Sequence, residues 1–295
     1  MTSNIYPLIS VVIPTYNHDR YITRALQSVL DQTYTNWEVI VVDNHSTDNT
    51  DIVLSHFSDP RFTVLKIQNN GVIAASRNKG IWAAKGEWIA FLDSDDWWVA
   101  DKLQLCLEEI HEEVDVVYHK LEIVSDKPRL FGRRSISSWQ IKAPALIDLL
   151  VRGNAIATSS AIVRKKMLER LNGMDESPEM SAAEDYNTWL RIAQLTNGFK
   201  YVSKPLGSYL LHNQGVSRKD MSVSAQHATQ NFIHFLSAKQ KNKFDAHLRY
   251  TKGRFEWMAG NTVAAKHNLL FSLRYGGLSL KLKSAFMLFI GIARA

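Results

Sequence analysis

The stretch that decides the fold is SVVIPTYNHDRYITRALQSVLDQTYTNWEVIVVDNHSTDNT, residues 10–50. Two short β-branched runs, LISVVIP (8–14) and WEVIVVD (37–43), flank a segment of different periodicity. In that segment Ile22, Ala25, Leu26, Val29 and Leu30 fall at i, i+3, i+4, i+7 and i+8, one apolar helix face, with Asn17 or Asp19 available as N-cap. Unbroken apolar runs fit strands buried on both faces. Strand, helix and strand with short connections predict a parallel sheet covered by helices.

The alternation continues outward. FTVLKIQ (62–68) and EWIAFLD (87–93) read as two more strands, and a helix over 73–85 is expected to end at Gly86 as its C-cap. Residues 97–113 (WWVADKLQLCLEEIHEE) read as helix and 114–124 (VDVVYHKLEIV) as strand, and 125–143 break the pattern as an irregular insertion. APALIDLLVRG (143–153) predicts a short helix, TSSAIV (158–163) a strand, and SAAEDYNTWLRIAQLT (181–196) a helix stopped at Asn197-Gly198. FKYVSKPLGSYLLH (199–212) is extended, interrupted at Pro205-Leu206-Gly207, and beyond Gly215 the pattern is helical throughout. The expected organisation is an α/β domain over 1–215, with halves 1–100 and 101–215, followed by a basic helical extension over 216–295.

Of the 295 residues, 45% are hydrophobic and 22% charged, the balance of a soluble globular chain rather than a disordered or membrane-spanning one. The single cysteine, Cys106, cannot close an internal disulfide, so a reducing, cytoplasmic setting is expected. MTSNIYPLIS lacks the pattern of a signal peptide, and the apolar run 285–293 is too short to span a bilayer. Charge is uneven: residues 216–295 hold 13 Lys/Arg against Asp220, Asp245 and Glu256, a balance of +10, whereas the first 215 residues stand at −4. That basic tail reads either as a solvated helical surface or as one that meets an anionic membrane. It carries no nucleic-acid motif.

Ligands of an open parallel sheet bind beyond the carboxyl ends of its strands. Polar residues collect there four times: Pro14-Thr15-Tyr16-Asn17, Asp43-Asn44 and the turn after them, Asn69-Asn70-Gly71, and Asp93-Ser94-Asp95-Asp96. In an extended segment Asp93 and Asp95 would point the same way, offering a hard oxygen site to a divalent cation with positions left for phosphate. One acid suffices as a helix cap, a role open to Asp96. Neither a Gly-x-Gly-x-x-Gly turn nor a GxxxxGK[ST] loop is present, so phosphates would be held by side chains and a cation, with Arg77 the nearest basic group. Tyr16 is placed to stack on a base.

These residues carry a family resemblance. Residues 10–50, NNGVIAASRNKGIWAAKGEWIAFLDSDD (69–96) and AEDYNTWLRI (183–192) resemble, in order and spacing, the inverting family 2 glycosyltransferases of the GT-A fold. The resemblance implies a metal-dependent, single-displacement transfer from a nucleotide diphosphate sugar to a glycan or lipid-linked acceptor. Thr15, Tyr16 and Asp43 would hold base and ribose, within a pocket extended by Pro14, Asn17, Asn70, Gly71, Ser94 and Glu184. Arg77 would lie near the nucleotide, Asp93 near ribose or the metal's water, Asp95 on Mg²⁺ or Mn²⁺, and His212 near diphosphate or metal. Asp185 would be the catalytic base, with Tyr186 and Trp189 either offering faces to an acceptor sugar or packing in the core.

One departure bears on the donor. Many members carry two consecutive acids after the second strand, and here the second is Asn44. An asparagine carbonyl accepts uracil N3–H and its amide donates to O4, a match to UDP- or dTDP-sugars rather than GDP-sugars. The rival readings are a sugar nucleotidyltransferase, which calls for a Gly-rich basic loop where PTYNHDRY stands, and a catalytically idle nucleotide-sugar-binding subunit. Action at the inner face of the cell membrane would follow from a lipid-linked acceptor.

Overall fold

β1 (Ile9–Thr15), α1 (Ile22–Leu30) and β2 (Trp37–Asp43) form from the stretch quoted above, followed by α2 (Thr50–Ser55), β3 (Phe62–Lys66), α3 (Ile73–Ala83) and β4 (Trp88–Phe91). In this computed structural model, which describes residues 7–125, 134–212 and 220–292, β1 pairs in parallel with both β2 and β4, and β2 with β3. All seven residues of β1 are buried, because helices cover both faces of a strand that has neighbours on either side. β3 departs from the expected burial: it is the edge strand of the sheet and is half exposed.

Past β4 the sheet becomes mixed. β5 (Trp97–Trp98), β6 (Val116–Ser125), β7 (Ile162–Arg164) and β8 (Phe199–Leu211) complete the order β3-β2-β1-β4-β7-β6-β8-β5. β7 runs antiparallel to β4 and β6, and β5 antiparallel to β8, while β6 and β8 are parallel. Pro205 falls where the β6–β8 register shifts; proline supplies no N–H to the ladder, so the expected interruption is a bulge within one strand.

Local expectations were displaced by tertiary partners. Tyr21 occupies the N-cap of α1 without a side-chain bond, since Asn17 accepts from Thr47 N–H (2.8 Å) and Asp19 donates its N–H to Asp48 (3.0 Å). Gly86 does not cap α3, which ends at Ala83; a Cβ at Gly86 would lie 2.5 Å from the Leu8 carbonyl oxygen, so glycine permits the close approach to β1. The helix expected over 97–113 is reduced to α4 (Lys102–Leu107), because Trp97 and Trp98 pair with Ser208 and Gly207 instead. A 3₁₀ turn at Thr158–Ser160 precedes β7. Residues 126–133 of the insertion, and the composition boundary at Gly215, lie outside the described residues.

The chain divides into two compact units. Met1–Ile141, Ile156–Pro178 and Gly198–Asn213 make the first, which holds the whole sheet, α1 to α4 and α6 (Lys165–Arg170). Lys142–Ala155, Glu179–Asn197 and Gln214–Ala295 make the second: α5 (Ala145–Arg152), α7 (Glu184–Ala193), α8 (Met221–Thr229), α9 (Ala238–Met258), α10 (Thr262–Tyr275) and α11 (Leu278–Ile292). α9 opens with a reciprocal capping box between Ser237 and Gln240. Among the described residues no helix is long and apolar enough to cross a membrane.

Lys102 is fully buried, its Nζ rests 3.6 Å from the centre of the Trp98 ring, and it has no hydrogen-bond partner among the described residues. Burial pulls its pKa down to about 7, and burial with the nearby Lys102 charge pulls that of His119 down to about 3. Both groups bind fewer protons folded than unfolded, so stability rises with pH, between about 3 and 6.5 for His119 and from about 7 upward for Lys102. Burial pushes Cys106 up to about 11, an opposing effect that begins near pH 9. Chemical denaturation of wild type and Lys102→Met at pH 7 and pH 9 should show wild type gaining stability and the variant gaining less. Equal gains in both proteins would contradict the burial of a charged Lys102.

Candidate functional site

The acidic segment at the exit of β4 is a turn and not an extended strand: Asp96 N–H donates to the Asp93 carbonyl (3.0 Å). The alternation expected for Asp93 and Asp95 therefore does not apply, and the three carboxylates take separate partners. Asp93 pairs with the buried Arg77 of α3 (2.7 Å). Asp95 Oδ2 faces His212 Nε2 at 2.8 Å, across 117 residues of chain. Asp96, 1% exposed, accepts from Leu210 N–H of β8 (3.0 Å) and does not cap α4, whose N-cap is Asp101. Burial first, then the charges of Asp95 and Asp93, push the Asp96 carboxyl well above the usual carboxylate range.

The two tryptophans after the acids anchor this turn. Trp98 is buried and donates from Nε1 to Ser159 O (2.7 Å), and Ser159 Oγ accepts the Asp93 N–H (3.1 Å). The Arg24 guanidinium lies over the Trp97 ring, 3.4 Å from its centre. Ser94 is buried with its hydroxyl 2.7 Å from His18 Nδ1. The rings of His18 and Tyr21 stand 6.1 and 5.0 Å from that of His212, so the loop that leads into α1 packs against the imidazole.

The turns after β1, β2 and β3 are tied into one another. Asn44 donates its N–H to Thr15 O (3.0 Å), and its side-chain carbonyl accepts from Asn69 N–H (2.8 Å), which leaves that oxygen one lone pair. Asp43, fully buried, accepts from Ser46 and from Lys66 Nζ (2.6 Å), and Lys66 also reaches Asp51. Burial opposes the Lys66 charge, but hydrogen bonds to Asp43 and Asp51 outweigh it and raise its pKa. Asn70 and Gly71 both adopt positive φ, +52° and +82°, to turn the chain out of β3. Pro14 and Thr15 are buried at the end of β1, whereas Tyr16 is 51% exposed, an open aromatic face beside the turn held by Asn17.

These contacts also single out groups the sequence did not. Lys66 was visible only as a charge inside an apolar strand. His18 and Tyr21 had no signal at all, since their partners Ser94 and His212 lie far along the chain.

Among the described residues no three His, Cys, Asp or Glu side chains assemble a metal site. The Asp95–His212 pair nevertheless fits a divalent cation. It supplies an oxygen and a nitrogen donor side by side, and His212 Nδ1 is buried without a hydrogen-bond partner. Two protein donors, rather than a closed cage, suit an ion that takes its other ligands from a diphosphate.

Glu184 and Asp185 belong to the second unit, in the first turn of α7, where the helix's positive end stabilises negative charge. Asp185 Oδ1 accepts from Tyr186 N–H (2.6 Å) and Oδ2 from the Asn154 amide (3.3 Å), which fix the half-buried carboxylate. Glu184 is buried. Tyr186 and Trp189 offer no open face: both are buried, and Tyr186 Oη donates to Leu149 O (2.9 Å). Burial raises the Tyr186 pKa, so the phenol stays a donor.

The family model described as glycosyl transferase family 2 matches residues 10–171. TuaG of Bacillus subtilis (strain 168), provisionally assigned as a teichuronic acid biosynthesis glycosyltransferase, is 44% identical over 230 residues, covering 73% of this chain and 83% of TuaG. WfgD of Escherichia coli, a UDP-Glc:alpha-D-GlcNAc-diphosphoundecaprenol beta-1,3-glucosyltransferase, is 38% identical over 193 residues, 64% of this chain and 71% of its own. The fold matches S. aureus TarS 1-349 in complex with UDP-GlcNAc, with TM-score 0.65 and 21% identity over 92% of this chain and 82% of that one. It also matches the mannosyltransferase PcManGT of Pyrobaculum calidifontis in complex with GDP-Man and Mn²⁺, with TM-score 0.63 and 21% identity over 98% of this chain and 80% of that one.

Proposed function

The chain belongs to glycosyl transferase family 2, and on that premise we propose that it transfers a sugar, with inversion, from a UDP- or dTDP-sugar to a hydroxyl of a lipid-linked or polymeric glycan. The observation that carries the reading is the Asp95–His212 pair at the exit of β4, in the same turn as the Arg77–Asp93 ion pair. Relatives with similar sequences include one named for teichuronic acid synthesis and one acting on a diphosphoundecaprenol-linked sugar, which supports a cell-envelope glycan acceptor. A lipid-linked acceptor would draw the enzyme to the cytoplasmic face of the membrane.

In this reading Tyr16 stacks on the base, while the turn built by Asp43, Asn44 and Asn69 reads its edge. Asn44 keeps its amide and one carbonyl lone pair for a pyrimidine. Arg77 fixes Asp93 towards the ribose. Asp95 and His212 would hold Mg²⁺ or Mn²⁺, which when bound neutralises charge on the departing diphosphate. Asp185, held by Asn154 and its neighbour's N–H, accepts the proton of the acceptor hydroxyl as that oxygen attacks the anomeric carbon and the diphosphate leaves.

Thermal-shift measurements with UDP, dTDP, GDP and ADP, each with and without Mn²⁺, test this directly. UDP or dTDP with Mn²⁺ should raise the melting temperature by a few degrees, as expected when a ligand binds only the folded state. No response to any nucleotide would overturn the reading, and a response to GDP alone would overturn the donor.

A further inference from the structure

α11 presents two unlike faces. Leu280 and Ser284 are buried within the second unit, whereas Leu278, Leu282, Phe286 and Phe289 are 77, 63, 65 and 73% exposed. Their spacing of four, four and three residues keeps these four side chains on one stripe of an α-helix. At about 100° per residue, Lys281 and Lys283 fall about 95° and 105° to either side of the stripe's centre. Long aliphatic stems there reach along the helix and set their charges beside the apolar strip. No Asp or Glu follows Glu256 in the sequence, while Lys266, Arg274, Lys281, Lys283 and Arg294 do.

Two large aromatics and two leucines facing solvent in one line are more than a scattered surface requires. We propose that this face of α11 lies in the interface of an anionic phospholipid bilayer, with the phenylalanines among the upper acyl chains and the lysines at the headgroups. Charge favours lipid over a second copy of this chain. A two-fold interface sets the same patch against itself, which would bring both pairs of lysines together with no acid from residues 257–295 to offset them. An anionic headgroup layer supplies that charge along the whole helix. The inference goes beyond sugar transfer and does not depend on the nature of the donor.

The test is co-sedimentation of the full chain with phosphatidylcholine vesicles, with and without phosphatidylglycerol. Wild type should pellet with the anionic vesicles, and added salt should release it. Phe286→Gln with Phe289→Gln should lose at least about tenfold in partitioning, since each aromatic removed takes buried apolar area with it. Lys281→Gln with Lys283→Gln should lose about fivefold per lysine on anionic vesicles. All six side chains reach the surface, so an unchanged melting temperature in both variants would separate lost binding from lost folding. Absence of wild-type pelleting overturns the proposal. So does concentration-dependent dimerisation abolished by the phenylalanine changes, without vesicle binding.

Discussion

Asp185→Asn should lower turnover of sugar transfer by about 10²–10⁴-fold, the range that a positioned general base contributes. The amide is close to isosteric and keeps an oxygen for the Tyr186 N–H, so α7 should fold as before. What it loses is the capacity to take a proton from the attacking hydroxyl. Nucleotide affinity should change little, because Asp185 is proposed to act on the acceptor alone. Steady-state kinetics beside isothermal titration with UDP separate the two quantities. An Asp185→Asn protein that no longer binds UDP would move Asp185 into the donor site, and one that keeps full turnover would remove it from the reaction.

Asp95→Ala should be comparably damaging for a different reason. Removing one group that stabilises transition-state charge typically costs about 10²–10³ in turnover. Loss of Asp95 also strips His212 of its 2.8 Å partner and leaves the imidazole alone in a buried position. Here nucleotide binding itself should weaken and cease to respond to Mn²⁺, in contrast to Asp185→Asn. Chelation of divalent ions should have the same effect on wild type. Full activity in excess EDTA would defeat the metal assignment, and a Mn²⁺ response preserved in Asp95→Ala would defeat the residue.

The fold was legible because its signals are local. The run WEVIVVD and the five-residue apolar stripe of α1 each declare their element within a dozen residues, and their alternation implies parallel pairing. What misled the reading was also local. Asn17 and Asp19 have the chemistry of helix caps, and KGE (85–87) resembles a helix stop, yet contacts with Thr47, Asp48 and Leu8 claim them. Trp97 and Trp98 fit a helix pattern equally well, and only β8, more than a hundred positions away, draws them into a strand.

The candidate site divides along the same line. By itself the sequence determined that carboxylates crowd the exit of β4 and that polar turns follow the other parallel strands, since residue identity and strand order suffice for both. It also determined that the tail is basic. Only the tertiary structure decided how the crowding is relieved: Asp93 turns to Arg77, Asp95 to His212 and Asp96 to the β8 backbone. It likewise decided which side of α11 is left to solvent, a choice that a helix apolar nearly all round cannot declare. Periodicity within one element is set by covalent spacing and is readable from the chain. The partner of a charge is set by where distant segments pack, and a carboxylate carries no mark of it.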